Sequence, residues 1–154
     1  MEHYYNVNIK WENERKGMMC SPELLNQSGA CIEVATPPEF PKGIPGIWSP
    51  EHLFTAAVSS CLMTTFLAVA ENSKLNFTSF SCKTKGKLES IEGKMMMSEV
   101  LLEPHVTITD EKDRERAERI LQKSEAACLI TNSVKSKVTM HPVIEVISPA
   151  ATLN

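Results

Sequence analysis

Residues 53–70 run for eighteen positions without a formal charge, and that run leaves few folds open to the chain. It reaches the lower bound in length for a helix that crosses a membrane. Thr55, Ser59, Ser60, Thr64 and Thr65 interrupt its apolar character, and no basic flank follows it. The expectation is therefore a core helix of a soluble domain, buried on nearly all sides. Its start is written in Ser49-Pro50-Glu51: a serine that can cap the first amides, a proline at the first helical position and an acid in the first turn. The helix is expected to end at about residues 71–73, where polar residues take over. Cys61 sits in its middle. A reactive thiol in an apolar helix suits chemistry that excludes water and accepts a greasy substrate.

The segments around this helix read as strands and one further helix. Tyr5, Val7, Ile9 and Trp11 alternate with polar residues, which predicts a half-buried first strand. Short strands near residues 18–20 and 31–35 complete a meander, with a turn at residues 26–29. Residues 36–49 hold Pro37, Pro38, Pro41, Pro45, Gly43 and Gly46, which excludes both helix and central strand. Beyond the helix, residues 77–88 and 94–102 form a long hairpin around residues 89–93, and residues 105–108 extend or follow its second strand. Asp110 caps an amphipathic helix over residues 111–127, with Ala117, Ile120, Leu121 and Ser124 inward. Cys128 opens a short second piece, residues 137–147 form a last strand, and the tail at 148–154 frays.

A chain of 154 residues can bury one substantial core, so residues 1–154 are read as a single α+β domain. Its net charge of −3 and scattered cations argue against nucleic acid as a partner. Lys83, Lys85 and Lys87 recur every second residue, as on the solvated face of a strand. The first residues, Met-Glu-His-Tyr-Tyr-Asn, have neither the cationic start nor the apolar stretch of a secretory signal, which places the protein in the cytoplasm. Five cysteines at irregular spacings do not suit a secreted disulfide framework and are expected to be mostly thiols. His3, His52, His105 and His141 form no metal-ligand spacing with one another or with cysteine. Trp11, Trp48, Phe54 and Phe66 are read as core, with Trp48 also placed to line a pocket beside the helix start.

Four segments in order carry a resemblance. Ala35-Thr36-Pro37-Pro38-Glu39-Phe40 enters the proline-rich loop, and Trp48-Ser49-Pro50-Glu51-His52-Leu53-Phe54 opens the helix. Ala56-Ala57-Val58-Ser59-Ser60-Cys61 carries the first thiol and Cys128-Leu129-Ile130-Thr131-Asn132-Ser133 the second. Together they resemble the organic hydroperoxide resistance and osmotically inducible proteins, the Ohr/OsmC family, over nearly the whole chain. The resemblance implies an OsmC-like α+β fold: curled antiparallel sheets around a long buried central helix, in an intertwined homodimer. It also implies a thiol peroxidase without a bound cofactor or metal. Cys61 would attack a peroxide oxygen and Cys128 would resolve the sulfenic acid as a Cys61–Cys128 disulfide. Cys20, Cys31 and Cys82 are left as packing residues or bystanders.

The chemistry sets its own demands on such a site. The thiolate attacks oxygen, yet burial in an apolar helix suppresses that form, so a buried cation is wanted. Arg15 occupies the position of the family's active-site arginine, with Lys16 as the neighbouring alternative. An unpaired guanidinium would itself be costly, and Glu51 matches the family's glutamate that holds it. Glu51 also suits the first helical turn on dipole grounds alone. Ten residues on one unbroken helix separate Glu51 from Cys61 by about 15 Å of rise. Either the helix breaks, or the glutamate comes from a partner chain and the site is shared at a dimer interface.

The cycle implied consumes an organic hydroperoxide and an external dithiol. A different class of function keeps the fold without catalysis: a dimer that binds a hydrophobic ligand, or a thiol sensor that oxidises once and stops.

Overall fold

Extended segments open the chain, but the first of them is not buried as its alternation suggests. In the computed structural model, which describes residues 1–24 and 30–148, strand β1 spans Asn8–Asn13 and all six of its residues are exposed. It is the edge of a three-stranded antiparallel sheet ordered β1–β2–β3, where β2 is Lys16–Cys20 and β3 is Cys31–Ala35. The alternation holds, but this small sheet offers β1 nothing to pack on. Tyr5 and Val7 precede the strand, and Trp11 is 72 % exposed, so it is not core. The turn expected at residues 26–29 lies outside the described residues.

The described residues fall into two units, Met1–Leu53 and Phe54–Asn154. In the first unit, the proline-rich loop folds back on itself through Phe40 N–H to Pro37 O at 3.1 Å and Gly43 N–H to Phe40 O at 3.0 Å. Gly43 is required there, because a Cβ would stand 2.0 Å from the Pro37 carbonyl oxygen. The helix start follows its sequence signal. Ser49 is fully buried, its carbonyl accepts from Leu53 N–H at 3.0 Å, and its hydroxyl accepts from His52 N–H at 3.2 Å. Helix α1 then runs unbroken over Pro50–Asn72.

The second unit packs α1 and α2 against a sheet. Strands β4 (Ser79–Ile91) and β5 (Lys94–Ile108) form the long hairpin, closed by Glu92 and Gly93 with φ of 50° and 78°. Two left-handed residues make the tight turn that matches strand twist. Lys83, Lys85 and Lys87 lie on its exposed face. Residues 105–108 extend β5 rather than follow it, even with Pro104 inside. β5 pairs in parallel with β6 (Lys137–Met140) as far as Leu102 and with β7 (Val143–Val146) from His105 onward. Pro104, which has no N–H to donate, falls in the gap between the two partners. The single last strand expected over 137–147 is accordingly two, divided at His141-Pro142.

Helix α2 spans Arg114–Ala127 after a 3-10 turn at Glu111–Asp113, and Lys112 N–H donates to the Asp110 carboxylate at 3.0 Å. Ala117, Ile120, Leu121 and Ser124 are its buried residues, as the periodicity predicts. Ala117, Ile120 and Leu121 join Phe66 and Ala70 of α1 with Val106 and Ile108 of β5 in the main core. Val58 and Leu62 pack with Val100 and Leu102 in a second cluster.

Burial on nearly all sides does not hold for α1. Only Val58, Cys61, Leu62, Phe66 and Ala70 are buried, and Ser60, Met63, Thr64, Leu67 and Ala68 form an open stripe. The helix is long and apolar enough to span a membrane by length and composition. A single sheet can cover one face of it, and the uncharged opposite face is left uncovered among the described residues. The tail is described to Ser148, and residues 149–154 lie outside the described set.

Candidate active site

Cys61 and Cys128, 67 positions apart in sequence, meet in the second unit. Cys61 faces inward from the middle of α1 and is 9 % exposed; Cys128 is 1 % exposed. Cys128 ends α2, since its backbone is extended there (φ −66°, ψ 110°) while its N–H still donates to Glu125 O. The chain then turns tightly: Asn132 N–H returns to Cys128 O at 3.0 Å, Ser133 N–H to Ile130 O at 2.9 Å, and the Ser133 hydroxyl to Leu129 O at 2.7 Å. This turn satisfies the carbonyls of residues 128–130 locally and leaves the Leu129 and Ile130 amides directed at the Cys61 sulfur.

Burial pushes the Cys61 thiol upward, but hydrogen bonds to its sulfur outweigh it. The Cys128 thiol, the Ile130 N–H, the Thr65 hydroxyl and the Leu129 N–H all favour the thiolate, and the net shift is below the usual thiol range. Thr65 stands one helical turn beyond Cys61, with Sγ and Oγ1 4.0 Å apart. Cys128 moves the other way. Its own burial comes first, the Cys61 thiolate to which it donates adds to it, and the Thr131 hydroxyl and amide only partly offset them. The pair therefore loses its first proton from Cys61 and its second from Cys128.

None of these donors carries a formal charge. The Cys61 thiolate is thus favoured by neutral groups, although the sequence argument asks for a buried cation. Thr65 and the two amides escape a sequence reading. Thr65 could have been found from its i+4 spacing to Cys61, whereas the amides have no residue-type signature.

We expect alkylation by a neutral iodoacetamide to reach its plateau at Cys61 at a pH below that at which Cys128 begins to react. Ultraviolet thiolate absorbance and peptide mapping of the alkylated protein check this. Simultaneous titration of both cysteines at ordinary thiol pH would refute the described geometry.

Arg15 and Glu51 are placed in the first unit. Arg15 is exposed in the two-residue turn between β1 and β2, where Glu14 has φ 44°. The turn is held at both carbonyls: the Trp11 indole N–H donates to Glu14 O at 3.1 Å and Thr36 N–H to Arg15 O at 3.0 Å. Arg15 and Glu51 line one cavity of about 670 Å³ together with Ile9, Trp11, Val34 and Phe40. Lys16 also borders it, but its ammonium pairs with Glu33 at 3.2 Å. Trp48 lines a pocket with Gly46, Ile47 and His52. It is 53 % exposed and so is not core. All eleven residues from Glu51 to Cys61 are helical, so a break in the helix is not how the chain relates them.

The remaining cysteines divide. Cys82 is a half-buried strand residue of β4, with its thiol 3.5 Å from the Thr84 hydroxyl. Cys20 and Cys31 are joined as a disulfide, which corrects their reading as bystanders. The β2–β3 register sets them directly opposite one another.

Comparison with known proteins gives one family and several structures. The family model described as OsmC-like protein matches residues 43–142. An uncharacterised protein of Methanocaldococcus jannaschii is 25 % identical over 97 residues, 63 % of this chain and 50 % of that protein; the chain thus spans about half the length of this curated relative. An OsmC-like protein of unknown function from Vibrio cholerae superposes with a TM-score of 0.80 at 22 % identity, covering 92 % of this chain and 100 % of that one. An organic hydroperoxide resistance protein from Elizabethkingia anophelis gives 0.73 at 19 % identity, covering 96 % and 99 %. The organic hydroperoxide resistance protein OhrB of Bacillus subtilis gives 0.66 at 16 %, covering 93 % and 98 %. At these identities the structures share the fold.

Proposed function

The chain belongs to the OsmC-like protein family, and on that premise we propose that it is a cysteine-based thiol peroxidase that reduces organic hydroperoxides to alcohols. One observation carries the reading: a buried thiolate at Cys61 is favoured by two backbone amides and by the thiol of a second buried cysteine. A cysteine kept for packing has no need of three sulfur-directed donors besides a neighbouring hydroxyl.

In the proposed cycle the Cys61 thiolate attacks the outer peroxide oxygen. The O–O bond breaks, the alkoxide leaves and is protonated to an alcohol, and Cys61 becomes a sulfenic acid. The Cys128 thiol then attacks the Cys61 sulfur, forming the disulfide and releasing water. An external dithiol returns two electrons and two protons, becomes a disulfide itself, and restores both thiols. Arg15 is assigned the role of stabilising the leaving oxygen, and Glu51 that of holding the guanidinium. The unbroken helix supports the shared-site alternative, in which these two side chains serve the Cys61 of a partner chain in an intertwined homodimer. We take residues 1–154 as one such domain, working in the cytoplasm.

The second reading, a hydrophobic-ligand binder or one-shot thiol sensor on the same fold, draws on the cavity of about 670 Å³ beside Arg15. Turnover separates the two. With dithiothreitol supplied, the peroxidase consumes many equivalents of cumene hydroperoxide per chain. It does so at least about tenfold faster than hydrogen peroxide, because two or more buried carbons contribute over ~1.4 kcal/mol. One equivalent or none would establish the binder or sensor instead, and equal rates would rule out an apolar substrate pocket.

A further inference from the structure

The Cys20–Cys31 disulfide is outside the chemistry described so far. Cys20 ends β2 and Cys31 begins β3, opposite one another with Cα atoms 4.2 Å apart. The next position outward is a hydrogen-bonded one, since Ser21 N–H donates to Ala30 O at 3.2 Å. The cysteines therefore occupy a non-hydrogen-bonded pair, where antiparallel strands bring side chains closest. Cys31 is exposed and Cys20 half-buried, so the bond is open to an attacking thiolate from the Cys31 side. The other three cysteines are free thiols, and two of them are buried together in the second unit.

The opposite end of the same strand pair carries Arg15. From Cys20↔Cys31 the ladder runs through Met18↔Glu33 to Lys16↔Ala35 and is continued by the bond from Thr36 N–H to Arg15 O. Gly17 and Val34, within that ladder, wall the cavity that Arg15 lines. A covalent tie at Cys20–Cys31 fixes the register of this wall, and its reduction leaves the backbone ladder and the Lys16–Glu33 ion pair to hold it.

We infer that Cys20 and Cys31 form a second two-electron redox couple, separate from Cys61 and Cys128, that an external dithiol reduces and an organic hydroperoxide re-forms in the folded protein. In reduction, a dithiol thiolate attacks Cys31 Sγ, the S–S bond breaks and Cys20 leaves as a thiolate that takes a proton. The reagent's second thiol displaces Cys31, so the reagent ends as a disulfide and both cysteines as thiols. In oxidation, one thiolate takes the outer oxygen of the hydroperoxide, releasing an alcohol. The other thiol then condenses with the sulfenic acid, releasing water. The inference does not rest on the peroxidase reading, because Cys61 takes no part.

The test follows each cysteine by alkylation and peptide mass spectrometry in the full, undenatured chain. Protein prepared without reductant is expected to leave Cys20 and Cys31 unlabelled. Dithiothreitol should then expose both together, with at least tenfold more label on each. After its removal, cumene hydroperoxide should restore protection in wild type and in Cys61→Ser, and Cys61→Ala serves the same purpose should Cys61→Ser not fold. In Cys31→Ser, Cys20 should label without reductant. Labelling of wild-type Cys20 and Cys31 even after hydroperoxide treatment overturns the inference. So does a disulfide that yields only under denaturant, which would be a plain staple. Re-formation that occurs in wild type but in neither cysteine variant overturns it as well, since the pair would then be oxidised through Cys61 and Cys128.

Discussion

Cys61→Ser is expected to abolish turnover at the Cys61–Cys128 pair, lowering the rate of hydroperoxide consumption by at least about 10³-fold. Replacing Cys128 should divide its two roles. Cys128→Ser keeps a hydroxyl to donate to the Cys61 thiolate but cannot form the disulfide. With the Cys20–Cys31 bond intact, it should consume one equivalent of peroxide at close to the wild-type rate and then stop with Cys61 as a sulfenic acid. Cys128→Ala also loses the donor. A hydrogen bond to a charged group contributes ~1.5–3 kcal/mol, a factor of about ten to a hundred in the equilibrium it favours. The single turnover of Cys128→Ala near neutral pH should therefore slow by about ten- to a hundredfold and recover as pH rises. Single-turnover kinetics with sulfenic-acid trapping distinguish these cases. Steady turnover in Cys128→Ser, or equal single-turnover rates in the serine and alanine variants, would remove Cys128 from its assigned roles.

Phe66→Ala is expected to destabilise the chain by about 3–5 kcal/mol, a large share of the ~5–15 kcal/mol that holds a typical domain. Phe66 is fully buried, 4.9 Å from the Phe80 ring centroid in a stacked arrangement and 5.1 Å from Phe77 edge to face. It joins α1 to both strands of the hairpin and to α2, so no neighbour can collapse into the space without disturbing another. Lys83→Ala, on the exposed face of β4, should change stability by less than about 0.5 kcal/mol. Urea unfolding followed by circular dichroism reads both, and a Phe66→Ala cost under about 1 kcal/mol would contradict the packing described.

Both predictions rest on helices that were legible in the sequence. Ser49-Pro50-Glu51 located the start of α1, and Ala117, Ile120, Leu121 and Ser124 identified the inner face of α2, because capping and periodicity are local properties. Burial of β1 and full burial of α1 were misread for a shared reason. Alternation and hydropathy report which residues tolerate burial, not whether the chain supplies a surface to cover them. The sequence left open whether residues 105–108 extend or follow the second hairpin strand; they extend it, and Pro104 is accommodated where the two parallel partners part. The approach of Cys61 to Cys128 came through resemblance alone, as no spacing encodes a contact across 67 residues. The Cys20–Cys31 bond was hidden likewise: eleven residues of separation mean little until strand register sets the two opposite.

The amides of Leu129 and Ile130 have a consequence beyond the attack on peroxide. In the proposed cycle, by favouring the thiolate at Cys61 they stabilise the reduced form of the Cys61–Cys128 pair. The lower-pKa sulfur is also the better leaving group in disulfide exchange. When a dithiol opens the proposed Cys61–Cys128 bond, the favoured course is capture of Cys128 and expulsion of Cys61. Cys61 would then leave directly as the thiolate needed for the next turnover, so the groups that arm the site would also re-arm it.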